Sequence, residues 1–97
     1  MNILIIGSGG REHAIAQKIS ESKQTEKLFI SPGNIGTALV GTNIELKNFE
    51  AIGHFCIQED INMVVVGPET PLVDGIYDYF TNNTSLRRIN VIGPSQQ

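Results

Sequence analysis

Ninety-seven residues suffice for one domain with one core. An apolar fraction of 40% and a charged fraction of 18% fit a globular chain, neither disordered nor membrane-embedded. The formal net charge is −3, and Arg87 and Arg88 are the only adjacent basic residues, so no basic stripe could track a phosphate backbone and a general nucleic-acid binder is excluded.

In chain order, residues 3–6 form an unbroken apolar run closed by Gly7, as expected of a central strand buried on both faces. Ala14, Ile15 and Ile19 then recur at helical spacing, with Glu12, Gln17, Lys18 and Glu21 facing elsewhere. Residues 28–30 predict a second strand stopped by Ser31-Pro32-Gly33-Asn34, and residues 44–46 a short third one. Asn48 is placed to cap a helix whose first turn carries Glu50, and Phe49, Ile52, Phe55 and Cys56 make its apolar stripe. Residues 63–66 are the clearest strand. Thr70 can cap the next helix with Pro71 at its first position, and Leu72, Ile76 and Phe80 form its buried face. Residues 90–92 give a last strand ended by Gly93-Pro94.

This alternation predicts an α/β fold: a five-stranded parallel sheet with about three flanking helices, the Rossmann-like half of a doubly wound sheet with its first strand central. No internal repeat, low-complexity stretch or linker interrupts it. A helix is expected after the last strand, so the chain is expected to continue beyond Gln97.

Cys56 is the only cysteine, which precludes an intramolecular disulfide and suits a reducing compartment. Residues 1–7 lack the basic start and apolar length of a signal peptide, and no segment is long and apolar enough to span a bilayer, so a cytoplasmic location is expected. Asn82 and Asn83 each open an N-x-[ST] pattern but, without a secretory signal, are expected to be unmodified.

In an open parallel sheet, ligands bind outside the carboxyl ends of the strands. The loops there read Gly7-Ser8-Gly9-Gly10-Arg11-Glu12-His13, Ser31-Pro32-Gly33-Asn34-Ile35-Gly36, Gly67-Pro68-Glu69-Thr70-Pro71 and Gly93-Pro94-Ser95. The first is a strand–glycine–helix junction, whose backbone N–H groups suit a phosphate, although such glycines also serve a tight turn alone. A dinucleotide site is disfavoured. The pattern G-x-G-x-x-G would need glycine where Glu12 stands, and no acidic residue ends the second strand to hold a ribose. No NAD is therefore expected.

Arg11 suits bidentate contact with a phosphate or carboxylate, and Glu12 suits hydroxyls or an amine; the alternative is a solvated Arg11 and a Glu12 that only complements the helix dipole. Glu69, between Pro68 and Pro71, is a carboxylate held rigidly at a strand end, which favours a binding role. His13 is expected to pack or cap. His54 and Cys56, two apart on a helix, cannot share a metal. Tyr77 and Tyr79 are expected to serve packing and surface and not as aromatic binding platforms, and Glu59-Asp60 as a solvated helix end.

Taken as a set, GSGGREHAIA after an apolar strand, SPGNIGTA, VVVGPETPLVDGI and VIGPS resemble the amino-terminal region of the phosphoribosylamine–glycine ligase family, with matching spacing over essentially the whole chain. The resemblance implies the pre-ATP-grasp domain of a purine-biosynthetic ligase that joins glycine to 5-phosphoribosylamine through a glycyl phosphate. Gly9, Gly10, Arg11 and Glu12 match the family's first loop, Pro32, Gly33 and Asn34 its second, and Gly67, Pro68 and Glu69 its third. These would bind 5-phosphoribosylamine. The resemblance places ATP and Mg or Mn on a later ATP-grasp domain, outside these residues, which implies that the 97 residues alone are inactive and carry no metal site. Gln96-Gln97 depart from the family pattern, which usually continues into a helix. Two alternatives remain: the amino-terminal domain of another ATP-grasp enzyme, and a non-catalytic nucleotide-binding module.

Overall fold

The architecture is that of a computed structural model, which describes residues 1–7, 10–67 and 73–93, with backbone alone for residues 10–12, 73 and 74. Its elements alternate: β1 (Asn2–Gly7), α1 (Gly10–Ser20), β2 (Lys27–Pro32), β3 (Thr42–Asn43), α2 (Phe49–Gln58), β4 (Met63–Val66), α3 (Val73–Asn82) and β5 (Asn90–Ile92). Two 3-10 turns, Thr37–Leu39 and Thr84–Leu86, interrupt the connections.

All five strands pair in parallel in the order β3-β2-β1-β4-β5, so the first strand is central. Ile3 pairs with both Leu28 and Met63, which sets one register across the middle three strands. Side chains alternate across that sheet. Leu4, Ile6, Val64 and Val66 point to a core completed by Ile52, Phe55 and Cys56 of α2 and by Ile76 and Phe80 of α3. Ile3, Ile5, Leu28 and Ile30 meet Ala16 of α1 on the other face. The continuous apolar run of β1 is thus buried twice over. On the α1 side the far end of the sheet is less covered, with Met63 and Val65 half-buried and Ile92 exposed.

Local chemistry explains the ends of α2. The Asn48 side chain accepts the Ala51 N–H at 2.8 Å, as expected of an N-cap, a contact worth about 1 kcal/mol. At the other end Asp60 takes a left-handed φ of 55°, and Ile61 N–H reaches back to the Cys56 carbonyl at 2.9 Å. This is a Schellman stop made without glycine; aspartate is among the few residues that accept that conformation. Glu59 and Asp60 form surface ion pairs with Lys27 at 3.7 Å and Arg88 at 3.4 Å, consistent with a solvated helix end.

Three details differ from the sequence reading. β2 runs on through Ser31 and Pro32, because Ile6 and Gly7 still offer it a partner strand. The third strand lies at Thr42–Asn43 instead of residues 44–46; Ile44 N–H still bonds the Ile30 carbonyl at 2.8 Å, so the pairing slides by two residues toward the turn. The buried face of α1 centres on Ala16, and Ala14 is exposed, because the helix is turned so that Ala16 meets Ile3, Ile5, Leu28 and Ile30 of the sheet. The expected cap at Thr70-Pro71 and the packing of Leu72 lie outside the described residues.

Cys56 is fully buried, and burial pushes its thiol up from 9.0 to about 12. Folding therefore favours the neutral thiol. The resulting stability is complete below pH 9 and is lost as pH rises from 9 toward 12, by up to about 1.4 kcal/mol per pH unit. Stability measured by urea titration at successive pH values should show this decline, and Cys56→Ala should show it reduced. An identical slope in the variant would assign the alkaline loss to other groups.

Candidate functional site at the carboxyl edge of the sheet

The carboxyl ends of β1, β2 and β4 lie side by side and are tied together by backbone hydrogen bonds. Gly33 N–H donates to the Gly7 carbonyl at 3.2 Å, and Gly67 N–H donates to the Ile6 carbonyl at 2.8 Å. A Cβ built on Gly93 would sit 3.4 Å from Val66 Cβ, which brings the end of β5 to the same edge. Gly33, Asn34, Gly67 and Gly93 thus share one rim, as the βα series predicts. Gly9, also expected there, lies outside the described residues.

Gly7 and Gly33 have φ of 150° and 76°, values that side chains rarely allow, and each sits where a strand turns out into its loop. α1 begins at Gly10, three residues after β1 ends, so its amino terminus opens at this rim. Gly10, Arg11 and Glu12 occupy its first turn. That end of an α-helix offers unpaired N–H groups and a partial positive charge, which suit a phosphate. Pro32 ends β2 opposite Gly7 through a cis Ser31–Pro32 bond. Pro68 and Glu69 lie outside the described residues.

The rim is braced by Thr37 and Asn43, to which the motif reading gave no role. Asn34 and Thr37 close a local turn: Thr37 N–H donates to Asn34 Oδ1 at 2.9 Å, and Asn34 N–H donates to Thr37 Oγ1 at 2.7 Å. Asn43, the last residue of β3, donates from Nδ2 to the Asn34 carbonyl at 2.8 Å. The spacing Asn34-x-x-Thr37 was a legible signal for such a turn. Asn43 carried none, because its partner is nine residues away.

His13 packs, as expected. A Cβ on Gly36 would fall 2.6 Å from His13 Nδ1, so the helix after the first loop and the turn after the second are in direct contact. Tyr79 stacks on Phe49 with centroids 5.3 Å apart, while Tyr77 is exposed. His54 is exposed and Cys56 buried, on different sides of α2. Among the described residues no group of three or more His, Cys, Asp or Glu could hold a metal ion. No helix formed by them is long and apolar enough to cross a membrane. A groove of about 410 Å³ lined by Thr25, Lys27, Phe29, Val40 and Gly41 opens beside β2, away from the rim.

A sequence profile described as "Phosphoribosylglycinamide synthetase, N domain" matches residues 1–97. The chain is 40% identical over 97 residues to phosphoribosylamine–glycine ligase of Rhodopirellula baltica, covering 98% of this chain and 21% of that protein. It is 46% identical over 83 residues to the trifunctional purine biosynthetic protein adenosine-3 of Gallus gallus, covering 81% of this chain and 8% of that one. Among solved structures, phosphoribosylamine–glycine ligase of Thermotoga maritima superposes with a TM-score of 0.53 at 32% identity, over 68% of this chain and 15% of that one. The chain spans about a fifth of the length of the curated ligases it matches. With a profile match along its whole length and a parallel sheet whose first strand is central as expected, the chain belongs to the phosphoribosylglycinamide synthetase N-domain family.

Proposed function

We propose that this chain is the substrate-side domain of an ATP-dependent carbon–nitrogen ligase of purine biosynthesis, acting in the cytoplasm to join glycine to 5-phosphoribosylamine and give glycinamide ribonucleotide. One observation carries the reading: in a member of this family, the Gly33-Asn34 corner, Gly67 and the amino terminus of α1 converge on the ends of three neighbouring strands. Such a rim matches the chemistry of 5-phosphoribosylamine, which offers a phosphate, ribose hydroxyls and an amine.

In this reading the N–H groups of Gly9 and Gly10, with Arg11, hold the phosphate. Glu12 and Glu69 accept hydrogen bonds from ribose hydroxyls or the amine. Pro32, Gly33, Asn34 and Gly67 shape the rim and, with Pro68 as a further binding residue, set where the sugar lies, so that the amine faces outward. ATP activates the glycine carboxylate, and with Mg or Mn it is assigned, as the family resemblance implies, to an ATP-grasp domain outside these residues. This chain's share is binding and orientation, which lowers the entropy lost when the amine meets its electrophile.

The test is steady-state kinetics of the full-length polypeptide with each substrate varied in turn. Wild type should form ADP only with both 5-phosphoribosylamine and glycine present. Glu69→Gln should raise the KM for 5-phosphoribosylamine by about ten- to a hundredfold, the loss of a charged hydrogen-bond partner. KM for ATP should stay put, and the melting temperature with it. Normal kinetics beside a large melting loss would make Glu69 a structural residue.

A further inference from the structure

We propose that Thr37 and Asn43 are positioning residues for the sugar phosphate, acting through a closed hydrogen-bond ring that fixes Asn34 at the rim; this rests on the 5-phosphoribosylamine reading above. Thr37 is fully buried although polar, so its hydroxyl must be satisfied within the protein. It accepts the Asn34 N–H at 2.7 Å and lies 2.8 Å from Asn43 Oδ1 and 3.0 Å from the Asn34 carbonyl. A hydroxyl has one proton to donate. The Asn34 carbonyl already receives Asn43 Nδ2 at 2.8 Å and Ala38 N–H at 3.1 Å, which fill both of its lone pairs. The Thr37 proton therefore goes to Asn43 Oδ1.

The ring then reads from Asn34 N–H to the Thr37 hydroxyl, on to the Asn43 amide and back to the Asn34 carbonyl. Both peptide groups of Asn34 are held, and its side-chain oxygen is held by Thr37 N–H at 2.9 Å. Asn43 is anchored in turn by β3, which pairs Asn43 with Ile30 of β2. The corner is thus referenced to the sheet, and through Gly33 N–H to the end of β1 beneath the first loop. A ring whose members polarise one another loses more than one bond when any member is removed. The position of Asn34 relative to the first loop is what a sugar phosphate bridging the two would sense.

Thr37→Val removes the hydroxyl and keeps the shape, whereas Thr37→Ser keeps the hydroxyl. In the full-length polypeptide, Thr37→Val should raise the KM for 5-phosphoribosylamine about tenfold or more while the KM values for ATP and glycine change less than about twofold. Thr37→Ser should restore most of the loss. Asn43→Asp, which keeps the acceptor but sets a carboxylate against the Asn34 carbonyl, should behave like Thr37→Val. An unchanged 5-phosphoribosylamine KM in an active Thr37→Val enzyme overturns the positioning role alone. So does a uniform fall with every substrate alongside a lowered melting temperature. A wild type that never uses 5-phosphoribosylamine overturns the site reading and this inference together.

Discussion

Phe80→Ala is expected to remove about 3–5 kcal/mol of folding stability. Phe80 is 2% exposed, near the carboxyl end of α3, and belongs to the core shared by Leu4 and Ile6 of the central strand, Ile52 of α2 and Leu86. Its ring also meets Tyr79 edge-on at 6.3 Å. Truncation leaves a void the size of a ring between a sheet and two helices, none of which can move in without breaking other contacts. A domain of this size has only about 5–15 kcal/mol in total, so the variant stands near the unfolding threshold. Phe80→Leu keeps much of the volume and should cost clearly less. Tyr77→Ala, on the same helix but exposed, should fall within about 0.5 kcal/mol of wild type. Urea denaturation followed by far-ultraviolet circular dichroism measures all three. A Phe80→Ala loss below about 1 kcal/mol would mean that α3 does not pack as described.

Gly33→Ala is expected to cost about 2–5 kcal/mol and to disorganise the rim. Two independent penalties add. The φ of 76° places any Cβ in a conformation worth about 1–2 kcal/mol against it. That Cβ would also lie 2.5 Å from Asn43 Cγ and 2.7 Å from Thr37 Oγ1, and closer still to Asn43 Oδ1. Overlap of this kind typically adds about 1–3 kcal/mol. Asn43 cannot simply swing away, because its amide is bonded on both sides. A double-mutant cycle with Asn43→Ala separates the terms: removing the amide should relieve the Asn43 part of the overlap and leave the backbone penalty together with the Thr37 contact. Strict additivity of the two substitutions would show that the clash with Asn43 is absent. A stability equal to wild type in Gly33→Ala itself would contradict the positive φ.

Much of this architecture was legible before any coordinates. The runs at residues 3–6 and 63–66 are apolar without alternation, the pattern of interior strands, and both proved to be adjacent strands inside the sheet, with β1 buried on both faces and β4 fully buried on one. Asn48 announced the start of α2 because capping is a local side-chain-to-backbone bond. The rim was equally legible, since glycine at strand ends reports backbone conformations that only glycine tolerates easily, and Gly7 and Gly33 take them.

What sequence alone could determine about this protein was whatever a few consecutive residues decide: strand and helix identity, caps, turns, and the family to which the loop motifs point. Tertiary structure decided the rest. It ended β2 at Pro32 and drew β3 to Thr42–Asn43, because a strand's length depends on the partner it finds. It buried Ala16 and exposed Ala14, because which stripe of a short helix is inward depends on the sheet beneath it. It also joined Asn43 to the turn made by Asn34 and Thr37, a contact between a turn and a strand end that no spacing rule anticipates. Local chemistry is written residue by residue, whereas a brace across a loop exists only once the sheet has set its two ends side by side.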